Sequence, residues 1–191
     1  MWSKLFRHEQ FLYLKETVFP KLAQKTASTK DWHIWCAASS TGEEPYTLAM
    51  LCMDYLGLEH SNWDTKILAT DIDTHVLETA RRGIYAKDSV EQLPATYVRR
   101  FFRKYNDKEY QVTKELKDEV LFRQFNLMNP LPFRKPLHVV FLRNVMIYFE
   151  EETKIRLLDQ IYDKMDCGGY LFIGSTESIS QNYSRFEYIR P

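Results

Sequence analysis

Four short runs in this chain carry no charged residue and no polar–apolar alternation: Ile34-Trp35-Cys36-Ala37-Ala38, Ile67-Leu68-Ala69-Thr70, Val139-Val140-Phe141-Leu142 and Tyr170-Leu171-Phe172-Ile173. A strand wetted on one face alternates; a strand buried on both faces reads as a continuous apolar stretch. Helical repeats lie between the runs. Strands alternating with helices imply an α/β domain, a mostly parallel sheet with helices on both faces.

The helices have readable ends. After the first run, Gly42-Glu43-Glu44-Pro45 opens a helix carrying Leu48, Ala49, Leu51, Cys52, Tyr55 and Leu56. Pro45 suits a first turn, where its missing N–H is not needed, and Gly57 is a C-terminal stop. After the second run, a short helix passes through Val76, Leu77 and Ala80 and stops at Gly83, with Thr74 as its cap; Asp73 is the alternative cap. Ahead of the first run, the spacing of Phe11, Leu12, Val18, Phe19 and Leu22 predicts a helix over 9–22, bent or interrupted by Pro20. Residues 97–105 read as an amphipathic helix. The turn Asn106-Asp107-Lys108 and the alternating Tyr110-Gln111-Val112 then point to a small antiparallel β insertion. Val120-Leu121-Phe122 reads as a further strand. A long helix over 151–165 places Ile155, Leu158, Ile161 and Tyr162 on one face and ends at Gly168-Gly169. The expected organisation is a helical segment over 1–30 leading into one domain over 31–191, with the β insertion near 97–122.

Length and charge narrow the function. The chain has 191 residues, enough for one α/β domain and its core. Lys and Arg number 26, as do Asp and Glu, so the net charge is zero. That argues against a nucleic-acid binder, which needs a basic surface. Cys36, Cys52 and Cys167 form no C-x-x-C pair and fit reduced thiols in the cytoplasm. The five histidines show no metal-ligand spacing, so no metal is expected. No apolar run reaches the length of a membrane span and no signal peptide is visible. A cytoplasmic location is expected.

Ligands of open parallel sheets bind at the carboxyl ends of the strands. The first such loop, Ala38-Ser39-Ser40-Thr41-Gly42, is built of small residues and ends in Glu43-Glu44. It lacks the G-x-G-x-x-G turn of dinucleotide sites, and its two carboxylates disfavour a pyrophosphate. They suit a cationic ligand such as S-adenosylmethionine, with its sulfonium and α-amino groups; they equally suit a bare helix start. Asp71, ending the second run, can accept hydrogen bonds from both hydroxyls of a ribose, with Asp73 as the alternative for that role. Asn126 and Leu127, and Asn144 and Tyr148, follow two further strands on the same edge. Asn126 could bond an adenine edge and Leu127 pack on its face; Asn144 and Tyr148 could equally be a turn residue and a core tyrosine.

Three of these segments together, residues 35–46, 69–73 and 143–149, closely resemble the chemotaxis receptor methyltransferases, the CheR family, and Gly174-Ser175-Thr176-Glu177-Ser178 is similar to that family's final loop. The resemblance runs in the family's order across essentially the whole chain. It implies a Rossmann-like methyltransferase fold and transfer of a methyl group from S-adenosylmethionine to glutamate side chains of chemotaxis receptors, leaving S-adenosylhomocysteine. It implies that Glu44 or Glu43 binds the methionine part of the cofactor, that Asp71 holds the ribose, and that Asn126 and Leu127 surround the adenine. Arg143 and Asn144 would line the methionyl end. Ser3 and Arg7, in the segment Ser3-Lys4-Leu5-Phe6-Arg7, would reach the cofactor and substrate pocket, and Arg7 and Tyr148 would orient the target glutamate as the catalytic pair. The implied partner is the cytoplasmic helical region of the receptors, met by a monomer. The basic run Arg99, Arg100, Arg103 and Lys104 could meet an acidic receptor face or simply be solvated. The family pattern also leads one to expect that an N-terminal helical domain and a last strand are missing here. A competing reading is a non-catalytic S-adenosylmethionine-binding sensor or scaffold.

Overall fold

The computed structural model describes Trp2, residues 9–180 and residues 183–189. The chain enters through α1 (Glu9–Tyr13), a π turn (Leu14–Val18) and α2 (Phe19–Lys25), then forms β1 (Ile34–Cys36) and α3 (Glu43–Leu56). A 3-10 turn (Gly57–Asn62) leads to β2 (Ile67–Asp71), α4 (Thr74–Arg82) and β3 (Ile84–Ala86). Next come α5 (Lys87–Val90), α6 (Ala95–Phe101), β4 (Phe102–Lys104), β5 (Glu109–Val112) and α7 (Lys114–Asp118). The chain closes with β6 (Val120–Gln124), β7 (Leu137–Leu142), a 3-10 turn (Met146–Tyr148), α8 (Glu151–Lys164) and β8 (Met165–Ile173).

The four apolar runs and the 120–122 stretch form one sheet in the order β6-β2-β1-β7-β8, every pair parallel. Ile34 lies between Ile67 and Val139 in register. From β1 the chain builds outward to β2 and β6, then returns to build β7 and β8 on the other side. The strand order therefore reverses between β1 and β7, which opens a crevice at their carboxyl ends. Alternation sorts the residues by face. Ile34, Cys36, Ile67, Ala69, Val139 and Phe141 join one core, with Phe11 and Leu14 of the N-terminal helix and Leu48 and Leu77 of α3 and α4. Trp35, Val140 and Leu142 join the other, under Leu157, Leu158 and Ile161 of α8. Each fully buried Leu, Ile or Phe contributes roughly 1.5–3 kcal/mol, so these two layers fasten helices to both faces of the sheet. The expected parallel, doubly covered architecture is present. Among the described residues, no helix is long and apolar enough to cross a membrane.

Several local expectations are corrected. Pro20 interrupts the first helix as expected, through a π turn just ahead of it, but the helix resumes and runs past Leu22 to Lys25. A regular α turn would drive its ring into the carbonyl of Glu16; the preceding turn instead widens, and Phe19 N–H bonds Leu14 O five residues back. Asp73, not Thr74, caps α4, its carboxylate accepting from His75 N–H at 2.8 Å. The helix expected over 97–105 stops at Phe101. Phe101 and Phe102 are both buried, and changing from helix to strand between them turns both rings inward. The small antiparallel sheet has the order β3-β5-β4, so its third strand, Ile84–Ala86, precedes the 97–122 stretch, while residues 120–122 belong to the large sheet. On α8 the buried stripe is Leu157, Leu158 and Ile161; Ile155 and Tyr162 lie exposed at its flanks. Gly168-Gly169 does not terminate α8. The helix ends at Lys164, and the glycines sit where β8 slips register between Met165↔Leu137 and Tyr170↔Val139, Gly168 with a φ of 73°.

Candidate functional site

The carboxyl ends of β1, β2 and β7 converge on the loop after β1. Trp35 Nε1 donates to Thr70 Oγ1 at 2.9 Å, Thr70 Oγ1 donates to Ala37 O at 3.0 Å, and Ser39 N–H donates to Thr70 O at 2.8 Å. These bonds satisfy the buried polar groups where the loop leaves the sheet. The loop then turns sharply, Ser40 with a φ of 47° and Gly42 with a φ of 98°. A Cβ on Gly42 would lie 2.8 Å from Ala80 Cβ and 2.9 Å from Tyr85 Oη, so both backbone and space require glycine. Tyr85, from β3 of the small sheet, donates to Thr41 O at 2.7 Å.

Glu43 and Glu44 start α3 but differ in setting. Glu43 accepts from the Thr41 hydroxyl at 2.6 Å. Glu44 turns inward and meets Arg143 from the end of β7: Nη1 donates to Oε2 at 2.7 Å, with side chains only 8% and 14% exposed for Arg143 and Glu44. Cys36 Sγ donates to the other Glu44 oxygen at 3.4 Å. Burial pushes the Glu44 carboxyl above its ordinary pKa despite the guanidinium beside it. Burial, reinforced by the Glu44 charge, pushes the Cys36 thiol well up, so it is a protonated donor. The Arg143 guanidinium also stands 5.5 Å from the centre of the Phe11 ring. Among the described residues, Arg143 Nε and Ser39 Oγ are buried without a hydrogen-bond partner.

The other sequence candidates fall as follows. Asp71 accepts from Ser40 N–H at 2.8 Å and from Asp73 N–H at 3.1 Å, tying the ends of β1 and β2 together. Asn126 accepts from Met128 N–H at 2.9 Å and shapes a turn. Leu127 is buried in the core cluster with Trp35 and Leu131. Asn144 is exposed and left-handed, with a φ of 58°. Tyr148 is 79% exposed, not a core tyrosine. Ser3 and Arg7 lie outside the described residues. The structure thus brings Glu44 to Arg143 and Asp71 to the β1 loop, while the side chains of Asn126 and Tyr148 stand outside that bonded network.

Two participants were missed. Cys36 ends an apolar run and gives no sign of facing Glu44. Glu177 was visible only as part of the Gly174–Ser178 loop; its side chain accepts from Gly174, Asn144, Met146 and Ile147 N–H groups.

The strand-order reversal between β1 and β7, with the buried Glu44–Arg143 pair beyond these strands and no glycine-rich phosphate turn, defines a Rossmann-like α/β fold without the dinucleotide fingerprint. Comparison with known proteins narrows this: residues 2–190 match the CheR methyltransferase, SAM binding domain, and the chain belongs to that family. A chemotaxis protein methyltransferase of Borreliella burgdorferi is 39% identical over 96% of this chain and 65% of its own length. That of Escherichia coli K12 is 36% identical over 88% of this chain and 60% of its own. The chain therefore spans somewhat under two thirds of the length of these two relatives. The glycopeptide N-methyltransferase MtfA, solved with S-adenosylmethionine, is similar with a TM-score of 0.45 and 14% identity, over 81% of this chain and 51% of that one.

The residues present fit this cofactor. Its methionine end carries an ammonium, a carboxylate and a sulfonium. The crevice holds a carboxylate for the cation, and buried Arg143 Nε and Ser39 Oγ as unused donors for the anion.

Proposed function

We propose that this chain transfers a methyl group from S-adenosylmethionine to glutamate side-chain carboxylates of chemotaxis receptors, forming methyl esters, on the cytoplasmic side of the membrane. The observation that carries the reading is the buried Glu44–Arg143 pair, with its unused Arg143 donor, at the mouth of the strand-order reversal. Glu44 binds the cofactor's amino group, with Glu43 beside it; Arg143, Asn144 and Ser3 line the methionyl end. Asp71 receives the ribose hydroxyls, and Asn126 and Leu127 border the adenine. Arg7 and Tyr148 hold the target glutamate, Arg7 through its charge and Tyr148 through its hydroxyl.

Bound here, S-adenosylmethionine supplies a sulfonium-activated methyl group open to nucleophilic attack. A glutamate with an ordinary pKa of about 4.3 is already ionised at neutral pH, so no general base is needed. The chain's residues act by alignment. Arg7 clamps the carboxylate, Tyr148 fixes its approach, and the two apolar cores beneath the crevice keep the bonded loops in place; proximity of this kind is worth several kcal/mol. The exposure of Tyr148 supports an incoming macromolecular side chain over an enclosed small substrate.

The test is calorimetric titration of the purified chain with S-adenosylhomocysteine, beside Asp71→Ala, followed by labelled methyl transfer to receptor membranes. We expect saturable binding, weakened about tenfold or more by the substitution, a change of about 1.4 kcal/mol, and base-labile label on receptor. A folded wild-type chain that takes up no S-adenosylhomocysteine sinks the cofactor site. Tight binding with no transfer points to the sensor or scaffold reading.

A further inference from the structure

Glu177 lies just beyond β8, and its carboxylate takes up four backbone N–H groups. Oε2 accepts from Gly174 at 2.7 Å and Asn144 at 2.8 Å; Oε1 accepts from Met146 at 2.8 Å and Ile147 at 3.3 Å. Three of those amides, Asn144, Met146 and Ile147, belong to the loop after β7 and the 3-10 turn it runs into, a segment that also carries Tyr148. That loop contains the left-handed Asn144 and needs an external acceptor for its successive amides. The approach has its own geometric signature. Glu177 N–H bonds Gly174 O at 2.9 Å, folding the 174–177 turn back on itself. A Cβ on Gly174 would sit 2.6 Å from Glu177 Oε2 and 3.1 Å from Asn144 N. Any side chain at 174 would therefore push the carboxylate out of that space.

We infer that Glu177 is a positioning residue for methyl transfer: it sets the conformation of the 144–148 loop, and through it the placement of Tyr148 against the incoming carboxylate, without itself touching cofactor or substrate. This rests on the methyl-transfer reading above. Charge and geometry are both needed. An anion with two oxygens can accept all four N–H groups. Glutamine would keep the length but place an NH2 group against two of the donors. Aspartate would keep the charge one methylene short.

The experiment compares wild type with Glu177→Gln, Glu177→Asp and Gly174→Ala. The readouts are circular dichroism, S-adenosylhomocysteine affinity, hydrogen exchange of the 143–149 segment, and kcat and KM for methyl transfer to receptor membranes. A reacting group misplaced by about 1 Å can cost on the order of 100-fold. We expect Glu177→Gln to lower kcat at least about tenfold and to speed exchange at the Asn144, Met146 and Ile147 amides, with cofactor affinity, to which the same segment contributes Asn144, falling by a clearly smaller factor than kcat. Gly174→Ala, which displaces the carboxylate without removing it, should do the same, and Glu177→Asp should be partly rescued. If Glu177→Gln does not fold, the other two variants decide by the same readouts. Wild-type kcat in folded variants, or cofactor affinity falling in step with kcat, overturns the inference alone. A wild-type chain that binds S-adenosylhomocysteine but methylates no receptor overturns the functional reading first, and the positioning role with it.

Discussion

At the scale of single residues, the sequence left Glu43 and Glu44 interchangeable, and burial separates them. Glu44 shares the interior with Arg143; Glu43 bonds a hydroxyl of its own loop. Removing one partner of a buried pair leaves the other charge uncompensated, at a cost of about 3–5 kcal/mol. Glu44→Ala should therefore shift the urea unfolding transition strongly, and Glu43→Ala little; equal shifts would mean that the pair is not the structural anchor described. The carboxyl of Glu44 sits above its ordinary pKa, so the folded chain holds that proton more readily than the unfolded one. Its ionisation therefore takes stability away as the pH rises above about 4.3, and the protonated form keeps that stability in acid. Cys36 and Glu177 were not legible as parts of the network for a common reason. Cys36 reads as one more apolar strand residue. Three of the four partners of Glu177 are backbone amides about 30 positions upstream, and an amide has no side chain to betray it.

At the scale of elements, the amino ends of β1 and β7 are joined by a stacked pair of histidines, rings 4.8 Å apart at 15°. His33 N–H donates to His138 Nδ1 at 2.9 Å, which requires that nitrogen to be unprotonated. Burial lowers the His138 pKa, and the neighbouring His33 lowers it further; Asp166 and Asp31 pull the other way and Lys25 adds to the lowering. The unfolded chain thus binds the proton more readily, so His138 supports the fold above about pH 6.5 and that support is lost as the pH falls below it. Thermal unfolding of wild type should show a fall in melting temperature from roughly pH 7 to pH 5. His138→Asn, whose side-chain oxygen can still accept from His33, should flatten that fall; an unchanged slope would assign it to other groups. Strands β1, β2 and β7 were legible because burial on both faces removes polar residues from the run. Strand β3 was not. Its three residues, Ile84–Ala86, pair with Glu109–Gln111 across some 25 positions, and three residues carry too short a pattern to read. The end of α8 was misread because Gly168-Gly169 serves a register slip in β8, a tertiary event, while Lys164 and Met165 carry no stop signal.

At the scale of the whole molecule, the small sheet and α6 present a basic face. Arg103 turns its guanidinium back onto the carbonyls of Arg99 and Phe102, at 2.9 and 2.8 Å, while Arg99 and Arg100 remain exposed. If that face meets the acidic flank of a receptor bundle, Arg99→Glu with Arg100→Glu should weaken receptor binding severalfold, more at low salt than at high, and leave S-adenosylhomocysteine affinity intact. Receptor binding equal to wild type would return these residues to the role of a solvated surface. The parallel sheet, the helical cover and the crevice were legible from the alternation of runs and helices. The seating of the small sheet was not, because it rests on tertiary contacts: Tyr85, Phe102 and Val112 pack into the main core, and one tyrosine hydroxyl crosses to the first loop. Tyr85 leaves β3 to bond the carbonyl of Thr41, in the loop that precedes Glu43 and Glu44. The two sheets are therefore not independent bodies sharing a chain. A ligand of the small sheet that moves Tyr85 alters the free energy of the loop by some amount. Linkage then requires a ligand of the loop to alter binding at the small sheet by the same factor, so occupancy at either place reports on the other.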